Sequence, residues 1–185
     1  MRTEWFHRIH CVFENKLGRD RMHNKILAKL LQLCALFKLH AEKSPKGYTS
    51  VDDAGKKTDR KQPDGLVYFT DNSNGTIFDV RTVDPISNSA VQANKHNSHK
   101  YSDDAAKDKT AKYQKIADGL NCDVQPVVIT TLGGFHKTAV DFVQKILKNA
   151  AGPRKSQIFY AKMSELSIAL MKDNATIVQK AFGLA

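Results

Sequence analysis

Two β-rich runs, LVYFT at residues 66–70 and TIFDVRTV at residues 76–83, flank the polar stretch DNSNG at residues 71–75. Val, Ile, Phe, Tyr and Thr favour strands, because their branched or aromatic side chains pack well on a pleated surface. Asp, Asn, Ser and Gly favour turns. The three segments together predict a β-hairpin, and it is the clearest element of the chain.

The register of this hairpin decides which polar side chains meet. If the turn is centred between residues 72 and 73, Leu66 faces Asp79 and Asp64 faces Arg81. Residues two apart share a face of a strand, so Asp64, Asp79 and Arg81 would gather on one face at the open end. Two carboxylates this close repel each other unless a cation lies between them, and Mg²⁺ is commonly held by one or two carboxylates.

The rest of the chain predicts helices and further strands around the hairpin. Apolar residues recur at helical spacing from His23 onward, and His23 lies on the same stripe. A proline in the third β-rich run suggests an edge strand or the start of a strand. The expected elements are a helix over 23–37, a strand over 38–43, a long polar loop over 44–63, the hairpin, a polar unpatterned segment over 87–102, a helix over 106–120, a strand over 123–130, a helix ending near 148 and a last helix after Gly152-Pro153.

Composition narrows the class of protein. The chain has 185 residues, of which 41% are hydrophobic and 26% charged, which predicts one folded domain and excludes global disorder. Its net charge of +10 favours polyanionic partners.

Three cysteines without a CxxC pair favour a reducing interior over a disulfide framework. The longest apolar run has eight residues, so we expect no membrane span, and the charged N-terminus predicts no signal peptide.

A lysine lies at the centre of an apolar helical stripe. On a helical projection, Lys109 shares a face with Ala106, Tyr113, Ile116 and Leu120. A lysine there either pairs with an anionic group inside the protein or extends its ammonium to solvent. Near the two carboxylates, it could polarise an attacking water molecule or a phosphate. Lys112 flanks the same face.

An ordered series of motifs resembles the restriction-like endonuclease domain found near the C-terminus of non-LTR retrotransposon polyproteins, a branch of the PD-(D/E)XK superfamily. The resemblance extends from about residue 7 to residue 180. The matching segments are Arg21 with His23-Asn24, Pro63-Asp64, Asp79-Val80, Lys109-x-x-Lys112-Tyr113, Thr131-Leu132-Gly133-Gly134, and Leu166-Ser167-Ile168-Ala169-Leu170 with Asn174-Ala175.

The resemblance implies an α/β fold with a restriction-endonuclease-like core, in which helices flank a central mixed β-sheet and an extra helix follows at the C-terminus. It implies nicking of duplex DNA with Mg²⁺ or Mn²⁺, in the nucleus of the cell. Asp64 and Asp79 would bind the metal, and Lys109 or Lys112 would replace the lysine that most superfamily members carry two residues after the second acid. His23 and Arg81 would contact DNA.

Some positions depart from the family pattern. Arg81 occupies the usual lysine position, and arginine can clamp a phosphate but cannot act as a titratable base. Thr130 stands where many relatives carry an acidic residue. These departures keep a second hypothesis open, namely a degenerate, non-catalytic nucleic-acid-binding protein that retains the nuclease fold.

The resemblance also predicts how the chain is divided. Residues 1–22 would be the remnant of a zinc knuckle, 23–150 the endonuclease-like core, and 153–185 a C-terminal helical extension. His7 and Cys11 match only half of a zinc knuckle, and two ligands do not make a closed zinc site, so zinc binding is not expected. This suggests a fragment of a larger polyprotein or a degenerate copy, with retroelement RNA as a further candidate partner.

Basic clusters in the long loop are candidate DNA contacts. Solvated charge runs are usually not binding sites. Here the loop directly precedes Asp64, which favours contact with the DNA backbone. The residues concerned are Lys56, Lys57, Arg60 and Lys61.

Overall fold

The computed structural model of the chain describes residues 16–45, 62–69, 74–148 and 155–181. These residues form a mixed α/β fold with one four-stranded sheet and five helices. The helices are α1 (Lys16–Leu36), α2 (Asn88–Ala93), α3 (Lys100–Gly119), α4 (Lys137–Lys148) and α5 (Lys155–Ala181). The strands are β1 (His40–Lys43), β2 (Gly65–Tyr68), β3 (Gly75–Val83) and β4 (Asp123–Thr130).

The sheet combines an antiparallel meander with one parallel strand. Its order is β1-β2-β3-β4; β1, β2 and β3 pair antiparallel, and β4 pairs parallel to β3. The parallel pair needs a crossover, which runs through α2 and α3. As Pro126 predicted, β4 lies at an edge of the sheet.

Helices cover both faces of the sheet. The larger core lies between one face and the helices α1, α4 and α5, and includes Phe78, Val80 and Phe142. On the other face, Leu66 and Ile77 pack against Tyr113 and further residues of α3. The mixed sheet flanked by helices is therefore confirmed at this level of description.

Several boundaries differ from the sequence-based expectations. Helix α1 begins at Lys16 rather than His23, so it crosses the domain boundary predicted at residue 22. The segment 87–102, expected to be unpatterned, contains α2, which begins where Ser87 Oγ accepts a hydrogen bond from the amide of Ala90. A short helix with a polar surface leaves little apolar periodicity in the sequence. Leu120, assigned to the buried stripe, follows the end of α3 and is exposed.

The hairpin register is shifted by two residues from the prediction. Leu66 pairs with Ile77 rather than Asp79, and Gly65 pairs with Phe78. Continued by one residue, this register sets Asp64 opposite Asp79 rather than Arg81. Because the shift is even, each side chain keeps its predicted face, and the two carboxylates lie closer in register than expected.

Helix α5 is an integral part of the larger core. Leu166 and Leu170 are buried there, 4% and 1% exposed respectively. Lys25 on α1 donates a hydrogen bond to Asp173 over 2.6 Å, and Ser167 Oγ donates to the carbonyl of Gly133 over 3.2 Å. The C-terminal helix therefore braces both α1 and the Gly-Gly turn after β4.

Among the described residues, no helix has the combination of length and apolarity needed to cross a membrane. Cys34 is a buried free thiol. Burial raises the pKa of the Cys34 thiol to about 12. A thiol with such a pKa is unreactive at neutral pH, which fits a packing role for Cys34.

Candidate active site

A cleft of about 510 Å³ opens where β2 and β3 meet α1 and α3. It contains most of the side chains that the sequence singled out, together with others that it did not. The residues lining it are Asp20, His23, Gln62, Asp64, Asp79, Val80, Arg81, Thr82, Lys109, Lys112 and Tyr113.

Asp64 is fixed by the backbone of β3 and by α1. It precedes the first residue of β2, and its Oδ2 accepts a hydrogen bond from the amide of Val80 over 2.7 Å. This hydrogen bond extends the pairing of β2 and β3 by one position before the first residue of β2. His23 Nε2 donates to the same oxygen over 2.8 Å. Within the described residues both hydrogen bonds fall on Oδ2, so Oδ1 remains available to another ligand.

Gly65 allows this close approach. A Cβ atom at position 65 would collide with the ring of Phe78, which is fully buried on the neighbouring strand. A side chain here would therefore push β2 away from β3 and carry Asp64 away from the amide of Val80. Glycine is required at this position by packing rather than by an unusual backbone angle.

The two oxygens of Asp79 have different partners on α3. Oδ1 accepts a hydrogen bond from the hydroxyl of Tyr113 over 2.8 Å. Oδ2 is in direct contact with the ammonium of Lys109, and no hydrogen bond of regular geometry to Oδ2 is found among the described residues. The Asp79 side chain is only 6% exposed and that of Lys109 20% exposed. Lys109 therefore points inward, which is one of the two orientations that its place on the helical stripe left open.

The remaining predicted residues fall into two groups. Lys112 and Arg81 line the cleft, with Lys112 Nζ 4.8 Å from the centroid of the Tyr113 ring and Arg81 exposed at the rim. The predicted loop contacts and the half zinc knuckle lie outside the described residues; they are Lys56, Lys57, Arg60, Lys61, His7 and Cys11.

His23 is hydrogen-bonded to Asp64 within the cleft. Its predicted contact with DNA stays a prediction. That hydrogen bond raises the pKa of His23 above its usual value, although burial opposes the shift. The nearby negative charges of Asp64 and Asp79 act in the same direction as the hydrogen bond. A protonated His23 is thus favoured beside the two carboxylates.

The sequence did not predict the hydrogen bond from Tyr113 to Asp79, because Tyr113 appeared there only as an apolar stripe residue and as part of a motif. One signal was available, because Tyr113 lies four residues after Lys109 on the same inward stripe of α3. Gln62 and Asp20 gave no such signal, since a backbone carbonyl and a single surface acid have no pattern in the sequence.

A metal ion would have to be held by carboxylates and water at this site. In the described part of the chain, no three His, Cys, Asp or Glu side chains converge as a metal-binding group. Mg²⁺ requires fewer protein ligands, because it keeps several water molecules and is often bound by one or two carboxylates.

Comparisons with known proteins give no family assignment. No model of a protein family matches this chain, and no curated protein matches it significantly. Function therefore has to be inferred from the site itself and from the sequence motifs that lead to it.

Proposed function

We propose that this chain is a divalent-metal-dependent DNA endonuclease domain of retrotransposon origin, with a restriction-endonuclease-like core. One observation carries the proposal: Asp64, directly before β2, and Asp79 on β3 line one cleft together with the cationic side chains of Arg81, Lys109 and Lys112. Metal-dependent phosphodiester hydrolysis uses such a combination, in which acids hold a cation and basic groups contact phosphate.

The donor set fits Mg²⁺ or Mn²⁺. Asp79 Oδ2 is buried, and its one close partner among the described residues is itself a cation, the ammonium of Lys109. Asp64, one residue before β2, offers Oδ1, since both of its hydrogen bonds to described residues fall on Oδ2. When bound between these carboxylates, a divalent ion would lower the pKa of a water molecule and neutralise charge on the phosphate.

The chain's own residues would orient the substrate and the nucleophile. Lys109 is in contact with Asp79 in the cleft, and its flexible stem can carry the ammonium from Asp79 to a water molecule or a phosphate oxygen. Arg81, exposed at the rim, suits a fixed contact with the scissile or an adjacent phosphate. Lys112 lines the same cleft and would add positive potential along the DNA backbone.

A second candidate is a nucleic-acid-binding protein that keeps the fold without turnover. Its support is the departure at Arg81 together with the Lys109–Asp79 ion pair, which ties up one of the two carboxylates. The same basic cleft would then bind duplex DNA or retroelement RNA through its phosphates. Either function on chromosomal DNA would place the protein in the nucleus.

A nicking assay tests the proposal and separates the two candidates. Supercoiled plasmid is incubated with wild type, Asp64→Ala and Asp118→Asn, with Mg²⁺ or Mn²⁺ and with EDTA. Asp118 is an exposed carboxylate of α3 outside the cleft, so its substitution controls for a lost acidic charge. We expect metal-dependent nicking by wild type and Asp118→Asn but not by Asp64→Ala. Absence of nicking by wild type, with DNA binding retained, would favour the non-catalytic alternative.

A further inference from the structure

Tyr113 links the two segments that carry the acidic residues. Its hydroxyl lies 2.8 Å from Asp79 Oδ1 and 3.3 Å from the carbonyl oxygen of Gln62, two residues before Asp64. A tyrosine hydroxyl has one proton to donate. The shorter contact leads to a carboxylate, and hydrogen bonds to charged acceptors are the stronger ones, so the proton belongs with Asp79.

The position of this hydroxyl is fixed by packing. Tyr113 is 1% exposed, and its ring lies in a cluster with Leu66, Ile77 and Ala117. A ring enclosed by β2, β3 and its own helix cannot change rotamer without opening the cluster. The hydroxyl is therefore held within hydrogen-bonding distance of Asp79 before any ligand binds.

The contact leaves Asp79 with one oxygen anchored and the other directed toward a cation. With Oδ1 held by Tyr113, Oδ2 is the oxygen in contact with the Lys109 ammonium. Without the hydrogen bond from Tyr113, the carboxylate could rotate about its Cβ–Cγ bond and present either oxygen to the cation. Residues that orient a metal ligand in this way commonly change metal affinity about 10- to 100-fold when they are removed.

We propose that Tyr113 is a positioning residue whose hydroxyl orients Asp79 for a divalent cation. The inference rests on the proposed function, since it assigns a role within the same cleft. Tyr113 would itself touch neither DNA nor the cation. Its ring, 4.8 Å below Lys112 Nζ, would separately support that lysine.

Replacing the tyrosine by phenylalanine isolates the hydroxyl. Tyr113→Phe keeps the ring, its packing and its contact with Lys112. Tyr101→Phe is the matched control, because Tyr101 lies near the start of the same helix and packs in a separate cluster. Mn²⁺ binding to each protein is measured by isothermal titration calorimetry without DNA.

We expect Tyr113→Phe to weaken Mn²⁺ binding about tenfold, equivalent to about 1.4 kcal/mol, and Tyr101→Phe to leave it unchanged. DNA affinity in EDTA should stay within about twofold of wild type. Cleavage by Tyr113→Phe should recover at saturating Mn²⁺, which a general structural defect would not allow.

Mn²⁺ binding distinguishes a failure of the positioning role from a failure of the proposed nuclease function. Wild-type Mn²⁺ affinity retained in Tyr113→Phe would overturn the positioning role and leave the proposed nuclease intact. A wild-type protein that binds no Mn²⁺ would overturn the proposed metal-dependent function and the positioning role together. A cleavage defect in Tyr113→Phe that saturating Mn²⁺ does not repair would also overturn the positioning role.

Discussion

The ammonium of Lys109, on α3, is in direct contact with Asp79 Oδ2 at the middle of β3, and both side chains are largely shielded from water. Because Lys109 lies on α3 and Asp79 on β3, this ion pair connects the helix to the sheet inside the cleft. Removing one member of a shielded ion pair leaves the other charge without compensation, which usually costs more than the pair itself contributes.

A double-mutant cycle tests this coupling. We expect Lys109→Met to lower the free energy of unfolding by about 1–3 kcal/mol, because Asp79 then remains buried with an uncompensated charge. In an Asp79→Asn background the same substitution should cost less, since the charge is already gone. Urea denaturation of the four proteins in EDTA gives the coupling energy. Equal costs in both backgrounds would show that the two side chains do not interact in solution.

Catalysis should depend on Lys109 more than on Arg81. Lys109→Met preserves stem length and helix propensity but removes the charge. We expect it to lower turnover at least about tenfold, or about 1.4 kcal/mol, with little change in DNA affinity. Arg81→Met should weaken DNA binding as well, because Arg81 lies at the exposed rim. Single-turnover cleavage and a binding titration in Ca²⁺ separate the two effects, and unimpaired turnover by Lys109→Met would exclude it as the catalytic lysine.

Substitution of Asp64 or Asp79 should abolish DNA cleavage without weakening DNA binding. Asp64→Asn or Asp79→Asn would remove a proposed metal ligand and also a negative charge that repels phosphate. We therefore expect cleavage to disappear while DNA affinity stays equal or rises slightly. A gel-shift titration beside the nicking assay measures both. Wild-type cleavage by either variant would show that its carboxylate does not bind the metal.

His23 should make stability depend on pH. The hydrogen bond to Asp64 raises the pKa of His23, so the folded state binds a proton more tightly than the unfolded chain does. The resulting stabilisation is fully present below the unfolded value of about 6.5 and is lost as the pH rises through the higher folded-state pKa. His23→Gln keeps a hydrogen-bond donor but cannot titrate, so its unfolding free energy should fall less over that interval. Urea titrations across this pH range in EDTA, with equal slopes for both proteins, would contradict the assignment.

The C-terminal helix should be required for folding of the core. Leu170 is 1% exposed in the larger core, whereas its neighbour Met171 is 58% exposed. We expect Leu170→Ala to cost about 2–5 kcal/mol, because it leaves a cavity, and Met171→Ala to cost little. Chemical denaturation should show one cooperative transition. A separate transition for α5, or a small effect at Leu170, would support its treatment as an appended extension.

DNA binding should weaken steeply with salt, because lysine and arginine contacts release counterions from DNA. Serine substitutions at the four basic loop positions should flatten the dependence of log K on log salt concentration. Four exposed lysines of the described structure provide a control of equal charge. The loop set is Lys56, Lys57, Arg60 and Lys61, and the control set is Lys38, Lys43, Lys148 and Lys172. An equal change of slope in both sets would assign the effect to net charge rather than to the loop.

Patterns of short range explain what could be predicted from the sequence. The hairpin, the edge strand with Pro126 and the place of Lys109 on the helical stripe depend on alternation, turn composition and helical spacing, which involve neighbouring residues. The predicted face of Asp79 survived an incorrect register because side chains alternate with a period of two. The exact pairing of the two strands was predicted incorrectly, because a run of Asp, Asn, Ser and Gly specifies the location of the turn only weakly.

Only the tertiary structure decided how the site is held together. His23 and Asp64 are 41 residues apart and Tyr113 and Asp79 are 34 apart, so no local pattern connects them. Their meeting depends on how α1 and α3 pack on opposite faces of the sheet, which is set by the summed burial of many apolar side chains. The sequence by itself determined which polar side chains are available beside the hairpin. Packing determined which oxygen of each carboxylate accepts a hydrogen bond, and it brought Asp79 Oδ2 into contact with the Lys109 ammonium.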